Sequence, residues 1–181
     1  MSARFALKEA TNEAHETLDA AMSRFDLTDV GDYGRFLTAQ AAALFPMEAT
    51  LDHAGAQVHY HPWQAARRGP ALAADMHALG LPIPPPVAIQ PIVGEPDIFG
   101  TLYVLEGSRL GGKMLARGVP EALPSAFLEH RGTQTWPEFS KLLDQKLASP
   151  VDLSVAKRAA SHAFDAFARA AESILSNDEQ A

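Results

Sequence analysis

GTLYVLEGSRLGGKMLAR, residues 100–117, is the stretch on which the interpretation of the whole chain depends. Its residues suit a helix, yet it places Gly107, Gly111 and Gly112 within six positions. Each interior glycine costs a helix about 1 kcal/mol relative to alanine, because glycine loses more backbone freedom on folding. The three glycines must therefore have a role that offsets this loss of helix stability. The question is which group comes close to the backbone at these positions.

Three roles are open for these glycines. Gly107 and Gly111 lie four residues apart, hence on one helix face, where they could let a second helix pack closely. Gly107, Gly112 and Lys113 also have the spacing of a phosphate-binding loop, but residue 114 is methionine instead of serine or threonine, and the chain lacks alternating strands. In the third role, a flat and rigid ligand such as a metal-bearing macrocycle lies against the bare backbone. That role requires an axial ligand elsewhere.

The N-terminal half of the chain has helical periodicity. Apolar or small residues recur every three or four positions from Phe5 to Phe25, which predicts one amphipathic helix. A second helix is expected from Tyr33 to His53, bent at Pro46 because proline removes a backbone donor. The fold class is therefore predicted to be all-α.

The remaining segments support the same class. Residues 81–96 contain six prolines and predict an extended connector instead of a helix or a central strand. Thr135 and Glu138 have the spacing of a capping box, so a helix is expected to begin there and run to about residue 148. Further helices are predicted over residues 70–79, 97–117 and 152–175.

Composition restricts the class of protein. A chain of 181 residues with 47% hydrophobic residues fits one domain, over residues 1–181. Its formal charge of -7 disfavours nucleic acid and anionic membrane surfaces as partners. The absence of cysteine excludes disulfides, thiolate ligands and thiol nucleophiles. Because no apolar stretch of about 18 residues and no signal peptide is found, a cytoplasmic protein is expected.

Among the seven histidines, His15 is the best candidate for an axial ligand. It borders the apolar stripe of the first helix, where Thr11 precedes it by one turn. Lys8 lies seven residues before His15, roughly 10 Å along the same face. That separation suits an imidazole under the centre of a ring and an ammonium at a carboxylate on the ring edge. His53, His59 and His61 are interpreted as solvated loop residues, although HYH at residues 59–61 could in principle hold a metal. The remaining three, at positions 77, 130 and 162, have no partner pattern.

Two motifs in the same order resemble those of haem oxygenases. LKEATNEAHETLDAAM, residues 7–22, is similar to their proximal helix, and LYVLEGSRLGG, residues 102–112, is similar to the distal helix of bacterial members. ARRGPALAADMHALG, residues 66–80, and WPEF at residue 136 extend the resemblance more loosely. The resemblance implies a single-domain helical bundle that holds haem between the first helix and a glycine-kinked distal helix.

The resemblance also implies roles for individual residues. His15 corresponds to the axial ligand of the haem iron, and Gly107 and Gly111 to the glycines whose backbone lies against the haem. Ser108 stands where mammalian members have an aspartate that anchors distal water, and it is grouped with the two glycines as catalytic. The remaining haem contacts are Lys8 and Tyr103 at the propionates, Thr11 on the helix of His15, and Phe164 near the haem edge. A late-helix propionate contact is not matched cleanly, and Lys141 or Lys146 is the expected substitute.

By this resemblance the chain cleaves haem with O2 to biliverdin, carbon monoxide and ferrous iron. Since the chain has no flavin or nicotinamide motif, the electrons must come from an external ferredoxin, flavodoxin or reductase. The product would supply iron or a bilin for a bacteriophytochrome. The alternative is a haem-binding storage or sensor protein without turnover. A thiamin-salvage hydrolase of similar fold is disfavoured because it typically needs a catalytic cysteine.

Overall fold

The structure, a computed structural model, describes residues 2–178, so residue 1 and residues 179–181 of the predicted domain lie outside the described part. Within residues 2–178 the regular structure is entirely helical, which confirms the all-α prediction. The helices are α1 Ala3–Ala10, α2 Asn12–Met22, α3 Val30–His53, α4 Ala56–His59, α5 Trp63–Ala66, α6 Gly69–Ala78, α7 Glu95–Ala116, α8 Ala126–Glu129, α9 Trp136–Lys146 and α10 Pro150–Asp178.

The first predicted helix is two helices, so the prediction of a single helix over residues 5–25 is wrong. The break lies at Thr11, whose φ of -109° and ψ of 7° are not helical. The Thr11 side chain donates a hydrogen bond to the Leu7 carbonyl oxygen at 2.8 Å, in addition to the backbone N–H at 3.0 Å. Threonine hydroxyls that bond back to the preceding turn commonly bend helices. Lys8 and His15 therefore lie on different helices.

Helices α3, α7 and α10 form the centre of the bundle, and their buried apolar side chains belong to one core cluster. Gly100 on α7 makes the close approach to α10 possible, because a Cβ atom there would lie 2.8 Å from the Ala156 Cα atom. Backbone atoms cannot move aside as a side-chain tip can. The sequence analysis had assigned no role to Gly100.

The proline-rich segment connects α6 to α7 without helix or strand over residues 81–93, as predicted. Its backbone is attached to the bundle at two points. The Val87 N–H donates to the Ala42 carbonyl oxygen at 2.9 Å, and the Arg169 guanidinium donates to the Ala88 carbonyl oxygen at 2.9 Å. Pro46 lies inside α3, which stays helical through it.

The capping box predicted at Thr135 is present. The Glu138 carboxylate accepts from the Thr135 N–H at 2.7 Å, while the Thr135 hydroxyl accepts from the Glu138 N–H at 3.4 Å. This cap begins α9 at Trp136, a residue that lines the principal cavity of the protein. Over residues 2–178, none of the helices has the length and apolar character needed to cross a bilayer.

Candidate functional site

The principal cavity lies between α2 and α7 and has a volume of about 440 Å³. Small-molecule and cofactor sites typically measure about 300–1,000 Å³. Helices α1, α3, α8, α9 and α10 complete its wall. All eight residues selected from the sequence line this one cavity: Lys8, Thr11, His15, Tyr103, Gly107, Ser108, Gly111 and Phe164. The structure thus brings them together, while their chemical roles stay predictions.

His15 is the only histidine among the described residues that line the cavity. Its Nδ1 atom lies 3.1 Å from the Asp19 carboxylate one turn later on α2. The Phe164 ring meets the imidazole edge-on, with centroids 5.3 Å apart. With Nδ1–H donated to Asp19, Nε2 keeps its lone pair, which is the arrangement that orients a metal-ligating imidazole. The side chain is 57% exposed, so it is open to a ligand entering the cavity.

The wall of the cavity opposite His15 is formed by α7, and its three glycines have different neighbours. A Cβ atom added at Gly111 would meet nothing within 4 Å, and one at Gly107 would lie 3.4 Å from the Trp136 Cη2 atom. At Gly112 the added atom would lie 3.1 Å from the Leu128 carbonyl oxygen. Gly112 therefore serves close packing against α8, while Gly111 leaves space in the cavity. Because α7 is helical throughout this stretch, a phosphate-binding loop is excluded.

Polar groups gather where α1 meets α7. Lys8 is exposed and makes no ion pair or hydrogen bond within residues 2–178. Burial raises the pKa of Tyr103, and a hydrogen bond with Thr11 and the charge of Arg4 oppose the rise. The Tyr103 ring also packs against Trp136, with centroids 5.9 Å apart. This end of the cavity therefore offers an ammonium and a neutral phenol to an anionic group.

Arg68, on the turn before α6, is a cavity residue that the sequence analysis missed. Its side chain is almost fully buried, and Nη2 donates to the Ser108 hydroxyl at 2.5 Å and to the Leu105 carbonyl oxygen at 3.3 Å. The guanidinium also lies over the Phe127 ring, 5.1 Å from its centroid. Burial, followed by the charge of Arg109, lowers the pKa of Arg68 to about 10. The group is nevertheless charged at neutral pH.

Two neighbouring arginines are paired with carboxylates, unlike Arg68. Arg67 contacts Glu48 at 3.3 Å and Asp52 at 3.2 Å. Arg109 forms a buried pair with Glu106 at 2.9 Å and also donates to the Ala66 carbonyl oxygen. Neither Arg67 nor Arg109 lines the cavity.

The Glu48 carboxylate bonds the backbone at Arg68 instead of its guanidinium. It accepts the backbone N–H of Arg68 at 2.7 Å and that of Gly69 at 3.0 Å. A Cβ atom at Gly69 would lie 2.5 Å from a Glu48 oxygen, so glycine is needed there. This buried carboxylate therefore fixes the turn that carries Arg68. The two adjacent arginines of ARRG were visible in the sequence, but nothing there distinguished the cavity residue Arg68 from Arg67.

The expected late-helix substitutes do not reach the cavity. Neither Lys141 nor Lys146 lines it, and Lys146 instead pairs with Glu95 at 2.5 Å. Glu95 is also 3.2 Å from His59, so the expectation that His59 is a solvated loop residue is wrong: it ends α4 and is half-buried beside this carboxylate. Within residues 2–178, no cluster of three or more histidine and carboxylate side chains could hold a metal ion by itself.

Comparison with known proteins supports the resemblance seen in the motifs. No family model matches the chain. A haem oxygenase from Xanthomonas campestris pv. campestris (strain 8004) is 38% identical over 98 residues, an alignment that covers 48% of this chain and 56% of that protein. The crystal structure of the NO- and CO-bound haem oxygenase from Neisseria meningitidis matches with a TM-score of 0.76 and 21% identity, covering 97% of this chain and 93% of that one.

The helical bundle and its cavity therefore define a protein with the haem oxygenase fold. The resemblance to haem oxygenases predicted from the motifs is confirmed over the 98 residues aligned with the Xanthomonas protein, and the Neisseria structure shows that the fold is shared.

Proposed function

We propose that this cavity binds haem, with His15 as the axial ligand of the iron, and that the protein is a haem oxygenase. The observation that carries the proposal is the pairing of one oriented imidazole on α2 with open space beside Gly111 on α7. A planar macrocycle needs a ligand on one face and an unobstructed backbone on the other. The similarity to the Xanthomonas protein supports the same function, although it covers 56% of that protein.

The residues present fit haem as a substrate. The Asp19 carboxylate accepts the Nδ1–H of His15, which fixes the tautomer that offers Nε2 to iron. Phe164 holds the imidazole from the side, and the cavity volume is sufficient for a large ligand. Apolar residues from α3 and α10, including Phe36 and Phe167, line the cavity and give it an apolar surface for the ring.

Lys8 and Tyr103 supply the groups for the two carboxylates of haem. Lys8 carries a charge that no other residue in the described part neutralises, and charge-assisted hydrogen bonds are about twice as strong as neutral ones. Tyr103 contributes a neutral hydroxyl on the adjacent helix. The two contacts would set the rotation of the ring about the iron, and hence which edge faces the glycines.

When bound, haem supplies the iron at which O2 is activated, and its own ring is the part that is cleaved. The products proposed are biliverdin, carbon monoxide and ferrous iron. Gly107 and Gly111 would let the backbone of α7 limit the space above the ring, and Ser108 would contribute to ordering polar groups there. Electrons would come from an external ferredoxin, flavodoxin or reductase. A bacteriophytochrome as acceptor of the bilin and a cytoplasmic location stay predictions.

Haem titration of purified protein tests the site. We expect the wild type to form a 1:1 complex with the absorption spectrum of histidine-ligated ferric haem. His15→Ala should lose that spectrum. His77→Ala removes an exposed histidine on α6 outside the cavity and should bind haem as the wild type does. Retention of the histidine-ligated spectrum by His15→Ala would refute the assignment of the ligand.

Turnover separates the enzyme from a haem storage or sensor protein. The complex is mixed with a reductant and O2, with catalase present to remove free peroxide. We expect the Soret band to disappear and carbon monoxide and a bilin to form in equal amounts. A stable Soret band through repeated reduction and reoxidation would favour the storage or sensor function instead.

A further inference from the structure

The wall opposite His15 contains a buried guanidinium, that of Arg68, which no described carboxylate contacts directly; the more distant charges of Glu106 and Glu48 only partly oppose the lowering of its pKa by burial. Arg68 is 5% exposed, and no carboxylate among the side chains that the structure describes forms an ion pair with its guanidinium. Arg67 and Arg109, in contrast, each have a carboxylate partner. Burying a charge is costly unless it is paired and hydrogen-bonded, so an anionic ligand in the cavity would offset the cost of burying Arg68.

The hydrogen-bonding capacity of Arg68 is only partly used. A guanidinium has five N–H donors. Within the described part of the chain, the hydrogen bonds of its side chain are made by Nη2 alone, to Ser108 and Leu105. Nε and Nη1 have no protein acceptor there, and the residue lines the cavity.

Ser108 cannot take over this role as it is arranged here. Its hydroxyl has one proton, which it donates to the Leu105 carbonyl oxygen at 2.9 Å, and it accepts from Arg68 at 2.5 Å. A group in the cavity that needs a donor near Ser108 therefore meets Arg68 instead. Because Glu48 holds the backbone at Arg68, the guanidinium needs little rearrangement to act.

We propose that Arg68 is the hydrogen-bond donor, directly or through one water molecule, for a small anion bound on the side of the cavity opposite His15. The inference rests on the proposed haem site and gives its distal side a named positioning residue. Arg68 would hold this anion by charge, and the hydrogen bond with Ser108 fixes the orientation of the guanidinium. The distal polarity of the site thus comes from the turn before α6 and not from an acidic residue on α7.

Fluoride binding to the ferric haem complex tests the proposal without turnover, because the stability of bound fluoride depends on a nearby donor. Hydrogen bonds to charged groups contribute about 1.5–3 kcal/mol, so Arg68→Met should raise the dissociation constant for fluoride at least about tenfold. Arg68→Lys, which keeps the charge, should retain part of the affinity. Arg158→Met is the matched control, since it removes an exposed arginine on α10 that lies outside the cavity and has no contact with Glu48 or Arg68, and it should leave fluoride affinity unchanged.

Circular dichroism and the ferric spectrum establish that each variant is folded and His15-ligated. If Arg68→Met does not fold, Arg68→Gln replaces it, because glutamine keeps an N–H group for Ser108 and removes the charge. Equal fluoride affinity in the neutral variant and the wild type would overturn the proposal. Failure of the wild type to bind haem would instead refute the proposed function, so the two failures are distinguishable.

A second titration separates this role from contact with a haem carboxylate. Haem and its dimethyl ester are bound to the wild type and to Arg68→Met, and the ratio of the two affinities is compared. We expect the same ratio in both proteins, because the carboxylates are held by other residues. If the preference for haem over its dimethyl ester disappears in Arg68→Met while the fluoride affinity is unchanged, Arg68 lies at a haem carboxylate. That result would overturn the distal role.

Discussion

Replacing Gly111 by alanine should stabilise the empty protein and weaken haem binding. The added methyl group would meet no atom within 4 Å, so it carries no packing penalty when the cavity is empty. Alanine is favoured over glycine in a helix interior by about 1 kcal/mol. For a chain of this size, that gain raises the unfolding temperature by about 2–4 °C.

The effect on haem binding has the opposite sign. A methyl group at position 111 projects into the space that the ring is proposed to occupy. Overfilling a packed site typically costs about 1–3 kcal/mol. That cost corresponds to an affinity for haem about 5- to 150-fold lower.

Gly100→Ala is the matched comparison because it alters the same helix outside the cavity. Its methyl group would lie 2.8 Å from the Ala156 Cα atom and 2.9 Å from the carbonyl carbon, where only a shift of α10 relieves the contact. We expect it to lower the unfolding temperature and to leave the haem affinity of the folded protein unchanged. Calorimetry of the haem-free proteins and haem titration measure both quantities.

The unfolding temperature and the haem affinity of Gly111→Ala test two separate parts of this reasoning. A Gly111→Ala protein that unfolds at lower temperature than the wild type would contradict the open space assigned beside that residue. Unchanged haem affinity in the same variant would contradict the proposed position of the ring against α7.

Two further predictions concern the stability of the haem-free protein. His130 accepts a hydrogen bond from Arg109 at 2.8 Å, and burial together with the charges of Arg109 and Arg68 lowers its pKa, so the folded state favours neutral imidazole. The unfolded chain then binds more protons below about pH 6.5, so the free energy of unfolding should fall as the pH decreases below that value. Denaturant titrations should show a smaller fall in His130→Gln. An identical pH profile in the variant and the wild type would contradict the assignment. Thr135→Ala removes the cap of α9 and should cost about 1 kcal/mol in chemical denaturation, whereas Thr17→Ala, at an exposed position inside α2, should cost less; equal costs would show that the cap contributes nothing specific.

The sequence predicted the cavity because its signals are local. The spacing of Gly107 and Gly111 places both on one face of α7, whereas Lys8, which was expected on the same helix face as His15, lies on the separate helix α1. Such patterns depend on residues a few positions apart, which a single helix brings together whatever the rest of the chain does. The break at Thr11 was missed because threonine occurs both inside helices and where they bend.

The features that were missed depend on distant partners. Gly100 and Gly111 are alike in sequence, and only the position of Ala156 shows that one serves packing and the other does not. Arg67 and Arg68 differ in the same way, because Glu48 pairs with the first side chain and with the backbone of the second. Lys146 was expected at a propionate, but its partner is Glu95, 51 residues earlier in the chain.

The separation of α1 from α2 has a mechanical consequence. The first residue of α1 donates its N–H to Asp144 of α9 at 2.6 Å, and α1 packs against both α9 and α10, whereas α2 packs mainly against α10. Lys8 and His15 thus lie on two helices that meet at Thr11 and have different supports. In the proposed haem complex, a substitution on α9 that shifts α1 would therefore move the Lys8 ammonium relative to His15 and change the orientation of the ring without altering its axial ligand.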